Sequence, residues 1–116
     1  MSTPLQELKS ELFRALAHPT RIRILEQLVP GERSVQDLQN ALTLDQPIVS
    51  QHLAALRARN VVTVRREGTQ AYYALRSPLI ADLLRVAREF LNHHLSERQS
   101  ESQSMLRELK RERRNA

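Results

Sequence analysis

The sequence predicts a mainly helical fold carrying one small β-hairpin, and three observations point there. Leucine dominates the apolar residues, with nineteen in 116 positions, while aromatics number four and tryptophan is absent. Leucine favours helices, whereas a sheet-rich core draws on β-branched and aromatic side chains. Apolar residues recur at three- and four-residue spacing through most of the chain. That period gives way to β-branched alternation only over residues 61–75. A chain of this length holds one domain and little more.

The first helix begins at Pro4, with Thr3 as N-cap and Gln6 closing a capping box. Leu5, Leu8, Leu12 and Leu16 form its apolar stripe, which Phe13 widens. The second helix follows His18-Pro19-Thr20, carries Ile22, Ile24, Leu25, Leu28 and Val29, and stops at Pro30-Gly31. Ser34 caps a short third helix, with Asp37 three residues on, and Val35, Leu38, Ala41 and Leu42 are expected to face inward. Thr43-Leu44-Asp45 reads as a turn. Pro47 then opens a fourth helix containing Ile48, Val49, Leu53, Leu56 and Arg57, which ends near Asn60. Two helices joined by so short a turn make a helix-turn-helix.

Residues 61–66 and 71–75 alternate as strands, and Glu67-Gly68-Thr69-Gln70 supplies the glycine that a tight hairpin loop needs. A lone hairpin is marginal in water, so this one must lean on the helices. Ser77-Pro78 starts a long fifth helix with Leu79, Ile80, Leu83, Leu84, Ala87, Leu91 and Leu95 as its stripe. Four helices, two strands and a fifth helix, in that order, describe a winged helix-turn-helix. Residues 1–98 are expected to form this domain. Residues 99–116 are polar and basic, and extend the last helix or form a mobile tail.

The formal net charge is +5, and the six basic and four acidic residues after Leu95 leave +3 on residues 1–95. This balance favours a polyanionic partner. Cysteine is absent, which excludes disulfides, thiolate metal sites and cysteine nucleophiles and suits a cytoplasmic protein. Glu7, Lys9 and Glu11 interrupt any signal-like apolar stretch, and no run approaches the ~18 apolar residues of a membrane helix. Enzyme chemistry finds no foothold: there is no glycine-rich phosphate loop and no paired-carboxylate motif. Ser50 and His52 stand two apart on a helix and diverge.

Double-stranded DNA is the partner that the elements suggest. A helix has the width of the major groove, and the first turns of the fourth helix offer Gln46, Pro47, Val49, Ser50, Gln51 and His52. Gln51 suits a bidentate pair with adenine, and Ser50 a phosphate. Arg57 is placed for the backbone, and Arg65, Arg66 and Gln70 flank the hairpin tip, beside an adjacent minor groove. The competing reading is an interaction module or co-regulator that needs a partner protein. A face for such a partner would be more apolar.

The run Leu16-Ala17-His18-Pro19-Thr20-Arg21-Ile22-Arg23-Ile24-Leu25 resembles the entry to the second helix of ArsR/SmtB-family transcriptional regulators. Val49-Ser50-Gln51-His52-Leu53-Ala54-Ala55-Leu56 is similar to their recognition helix, and residues 66–75 to their wing. The resemblance implies a dimeric winged-helix protein that binds palindromic operator DNA and often answers to a ligand, commonly a metal ion. A dimer also follows from surplus apolar surface on the first and fifth helices: Leu5, Leu8, Leu12, Leu83, Leu84, Ala87 and Leu91 are the candidate interface.

Many such regulators bind metal through a Cys-Val-Cys segment in the third helix, where this chain has Ser34-Val35-Gln36. A second family site spans the paired fifth helices. His94 and Glu97 resemble its later half, while Ala81 and Leu83 occupy the earlier ligand positions. What remains is a local cluster of His93, His94 and Glu97, whose imidazoles and carboxylate suit nickel or zinc. The simpler expectation pairs His93 with Glu97 and leaves His94 on the apolar stripe.

Overall fold

The computed structural model describes residues 1–115. It contains α1 (Pro4–Leu16), α2 (Pro19–Leu28), β1 (Arg33–Ser34), α3 (Val35–Leu42), α4 (Gln46–Ala58), β2 (Val62–Glu67), β3 (Gln70–Leu75) and α5 (Pro78–Asn115). Two compact units result, Met1–Asp82 and a second from Leu83 onward that is α5 alone. Among the described residues, no helix is long and apolar enough to cross a membrane. The last residue of the expected extension, Ala116, lies outside the described residues; 99–115 continue α5 as helix.

Both predicted capping boxes form. The Gln6 amide N–H donates to Thr3 Oγ1 at 3.2 Å, and the Thr3 N–H donates to Gln6 Oε1 at 3.0 Å. Ser34 and Asp37 repeat the exchange at 3.0 and 3.4 Å, with Ser34 buried. Satisfying the otherwise orphaned N–H groups fixes where α1 and α3 start.

The core of the first unit joins three helices to the sheet. Ile24, Leu25 and Leu28 of α2, Leu38 of α3, Val49, Leu53 and Leu56 of α4, and Val61 and Val62 are fully enclosed. Tyr73 closes the core from β3. Fully burying each aliphatic side chain contributes about 1.5–3 kcal/mol, so these residues decide which way each helix is turned. Ala41, expected to face inward, is exposed: the core side of α3 is the Leu38–Leu42 edge, which Ala41 does not share.

The sheet has three strands in the order β1-β3-β2, all antiparallel. Strand β1 was not expected; it pairs Arg33 with Tyr73 and Ser34 with Tyr72. The hairpin loop is also tighter than expected. Glu67 pairs with Gln70, leaving Gly68-Thr69 as a two-residue loop, and Gly68 takes φ +60°. Glycine with positive φ at the first loop position is the type II′ arrangement, whose twist matches the strands it joins.

Two left-handed residues end the helix-turn-helix helices. At α4, Asn60 takes φ +60°, its N–H donates to the Arg57 carbonyl at 3.0 Å, and the Val61 N–H reaches the Leu56 carbonyl at 3.0 Å. This is a Schellman ending, and Val61 and Leu56 are both buried beside it. At α3 the same role falls to Thr43, with φ 55° and ψ 52°, while Leu44 donates to the Gln39 carbonyl at 3.2 Å. Arg23 Nη2 donates to the Leu42 carbonyl at 3.1 Å, tying α2 to this turn.

A β-branched residue in the left-handed region costs about 1–2 kcal/mol, more than glycine loses through its flexibility. Thr43→Gly is therefore expected to raise the free energy of unfolding by about 0.5–1 kcal/mol. Urea denaturation would register this as a higher midpoint at unchanged slope. A lower midpoint would contradict the strain assigned to Thr43.

Candidate nucleic-acid interface

The orientation of α4 follows from its buried seam. Val49, Leu53 and Leu56 are spaced four and three apart and fully enclosed, so the opposite side faces out. Gln46, Pro47, Gln51, Ala54 and Arg57 are exposed there, and Ser50 is half-buried. Gln46 Nε2 donates to Ser50 Oγ at 2.6 Å, which orders the first turn. Val49 does not belong to this set. It was expected among the DNA contacts, but its side chain is 0% exposed. The family-like run places it beside Ser50, and helical geometry turns it to the core.

Ala54 was missed by the sequence reading and stands exposed between Ser50 and Arg57 on one helix face. Its short side chain lets a second surface approach α4 closely. Asp45, the N-cap, makes no side-chain cap hydrogen bond; its carbonyl instead accepts the Ile48 and Val49 N–H groups at 3.1 and 3.2 Å, and Pro47 brings no N–H to the first turn.

His52 is half-buried and engaged. Arg21 Nε–H donates to His52 Nδ1 at 3.2 Å, and Arg21 Nη1 donates to the Ala15 carbonyl at 3.2 Å. Burial first, then the charges of Arg21 and His18, hold the His52 imidazole below its ordinary pKa. The His18 ring lies with its centroid 6.1 Å from that of His52. Arg21 stood in the family-like run with no function attached; its partner 31 residues away was not visible from sequence.

The two wing arginines diverge, because neighbours on a strand point to opposite faces. Arg65 Nη2 meets Glu32 Oε1 at 2.6 Å, its Nε donates to Glu32 Oε2 at 3.3 Å, and its Nη1 meets Glu67 Oε2 at 2.5 Å. Its guanidinium carbon also sits 4.6 Å from the centroid of the Tyr72 ring, its cross-strand neighbour. The hydrogen bond from Arg65 holds the Glu32 carboxyl below its usual range. Arg65, expected at the wing tip beside a minor groove, is held by Glu32 and Glu67 and braces the wing. Arg66 is exposed at the other face, and Gln70 lies at the loop. Neither Arg57 nor Arg66 takes part in an ion pair among the described residues.

The metal candidates do not converge. His93 Nε2 meets Glu97 Oε1 at 3.0 Å, while His94 stacks on Phe90 with ring centroids 6.2 Å apart. Among the described residues, no group of three or more His, Cys, Asp or Glu is placed to hold a metal ion. The donors present do not fit a nickel or zinc centre within one chain. The apolar candidates divide by unit. In α1, Leu5 and Leu8 are exposed and Leu12 half-buried; in the second unit, Leu83 and Leu84 are half-buried and Ala87 and Leu91 exposed.

Residues 18–64 match the family described as bacterial regulatory protein, arsR family. The chain is 48% identical over 98 residues to the uncharacterized HTH-type transcriptional regulator Rv0081 of Mycobacterium tuberculosis, covering 84% of this chain and 86% of that protein. The crystal structure of Rv0081 superposes with a TM-score of 0.77 over 84% of this chain and 98% of the other. Mb0332 of Mycobacterium bovis, a homodimeric winged helix-turn-helix DNA-binding domain, is 31% identical with a TM-score of 0.74, covering 80% and 86% of the two chains. On this fold, this exposed α4 face and these likenesses, the chain belongs to the ArsR family of winged helix-turn-helix transcriptional regulators.

Proposed function

We propose that the chain binds palindromic operator DNA as a homodimer, with one α4 in each of two successive major grooves and Arg66 and Gln70 at the flanking minor groove. The observation that carries this reading is the outward face of α4: Gln46, Ser50, Gln51, Ala54 and Arg57 lie opposite a fully enclosed seam. Amide and hydroxyl groups there suit base edges and phosphates, and the unpaired Arg57 and Arg66 suit the backbone.

Pairing is supported by apolar side chains that the single chain leaves in water. Leu5, Leu8 and Phe13 of α1 are exposed, as are Val86, Phe90 and Leu91 of α5. Burial against a second copy removes this surface from water, and a twofold axis sets two recognition helices about 34 Å apart, one turn of duplex. The relative Mb0332 has a homodimeric DNA-binding domain. No step of this reading runs through a metal.

Selection of bound duplexes from a random pool tests the reading, and the product should be an inverted repeat. Against that duplex, Gln51→Ala is expected to cost about 1–3 kcal/mol and to relax preference at one position of each half-site. Arg66→Ala is expected to weaken all sequences alike and reduce the salt slope by about 1. Wild-type behaviour from both variants would overturn the assigned interface.

Leu91→Glu places a charge in the proposed pairing surface. Sedimentation should show the wild type as a dimer and this variant shifted to monomer, with operator affinity lost in parallel. A dimer as stable as wild type would remove α5 from the interface.

A further inference from the structure

We propose that Ala54 is a specificity-determining residue: its methyl group packs on the C5-methyl of a thymine in the base pair next to the adenine that Gln51 reads. Each half-site is then chosen for A·T pairs where α4 crosses it. The inference rests on the DNA-binding reading above and deepens it by naming the base chemistry.

Rotation about the axis of α4 sorts its residues into lines. Successive residues turn by about 100°, which places Val49, Leu53 and Leu56, the enclosed seam, within about 60° of one another. Pro47, Gln51, Ala54 and Ala58 fall in an equally narrow arc about half a turn away, and all four are exposed. Gln46, Ser50 and Arg57 make a third line, about a quarter turn to one side of it. On that flank Gln46 Nε2 is already engaged with Ser50 Oγ at 2.6 Å. With the seam turned to the protein, a helix seated in the major groove aims its central line at the base edges and its flanks at the phosphate walls.

The central line carries a single hydrogen-bonding side chain. Gln51 has the apolar ring of Pro47 one turn before it and the methyl of Ala54 one turn after. Its amide makes no hydrogen bond among the described residues, so donor and acceptor are both free for adenine N7 and N6. Reading guanine takes an arginine or lysine, and reading cytosine a carboxylate. Within Gln46–Ala58 there is no lysine and no acidic residue, and the one cation, Arg57, stands on the flank in the last turn.

An apolar side chain at the base edges has the thymine methyl to meet. Ala54 follows Gln51 by three residues, about 4.5 Å along the helix, which is close to the spacing of about 3.4 Å between stacked base pairs. The contact therefore falls on the neighbouring pair. Alanine has no rotamers to order, so its methyl is presented without loss of side-chain entropy.

The test uses the full chain and duplexes selected from a random pool. Selection with wild type and with Gln51→Ala locates the adenine as the position that loses preference. Replacing the thymine of the adjacent pair by deoxyuridine removes only the C5-methyl, and should weaken wild-type binding about fourfold per half-site. The same replacement should leave the affinity of Ala54→Gly unchanged. If glycine unfolds α4, Ala54→Ser takes its place, and its hydroxyl should relax the preference for thymine on reselection. Equal wild-type affinity for the thymine and uracil duplexes would overturn the proposal, as would a G·C pair selected at that position. A uracil penalty undiminished in the Ala54 variant would also overturn it, because another group would then hold the methyl. Failure to bind any duplex would instead sink the DNA-binding reading, and this proposal with it.

Discussion

The structure depends on one constraint above others: α4 has a side that must leave water. Val49, Leu53 and Leu56 are completely enclosed with Ile24, Leu25, Leu28 and Leu38 from α2 and α3. At about 2–5 kcal/mol for truncating one such leucine, no surface interaction competes with this seam in fixing the helix's rotation. The polar face is then where it is because the apolar one is buried.

Arginines set the finer geometry around that seam. Arg23 closes the end of α3 through the Leu42 carbonyl, Arg21 joins Ala15 to His52, and Arg65 forks onto Glu32. Arg21 and Arg65 use the planar, multi-donor guanidinium to satisfy more than one group at once, which lysine could not reproduce. The arginine count was first read as charge for a polyanion. The structure divides that count: Arg21, Arg23 and Arg65 are internal fasteners, whereas Arg57 and Arg66 take part in no ion pair among the described residues.

How much was legible in the sequence follows from the range of each interaction. The helices, both capping boxes and the hairpin were readable, because periodicity and caps act within a few residues. Strand β1 was not, since two residues can show no alternation and Arg33–Ser34 is defined only by its pairing with β3. The outward residues of α4 were largely readable, but Val49 was swept in with its neighbours because a motif read as a block ignores helical rotation. The partners of Arg21, Arg23 and Arg65 lie 31, 19 and 33 residues away, and no local signal connects them. His93 and Glu97, by contrast, are one turn apart, and their pairing at 3.0 Å was foreseeable from spacing alone.

The most direct test of the central claim is amide chemical-shift mapping of the ¹⁵N-labelled chain on addition of the selected duplex. If the buried seam aims α4 at DNA, the largest shifts will fall at Gln46, Ser50, Gln51 and Ala54, with a second group at Arg66 and Gln70. The enclosed positions should follow only weakly. Saturable binding whose shifts spare α4 altogether would contradict it, because the duplex would then be held by some other surface.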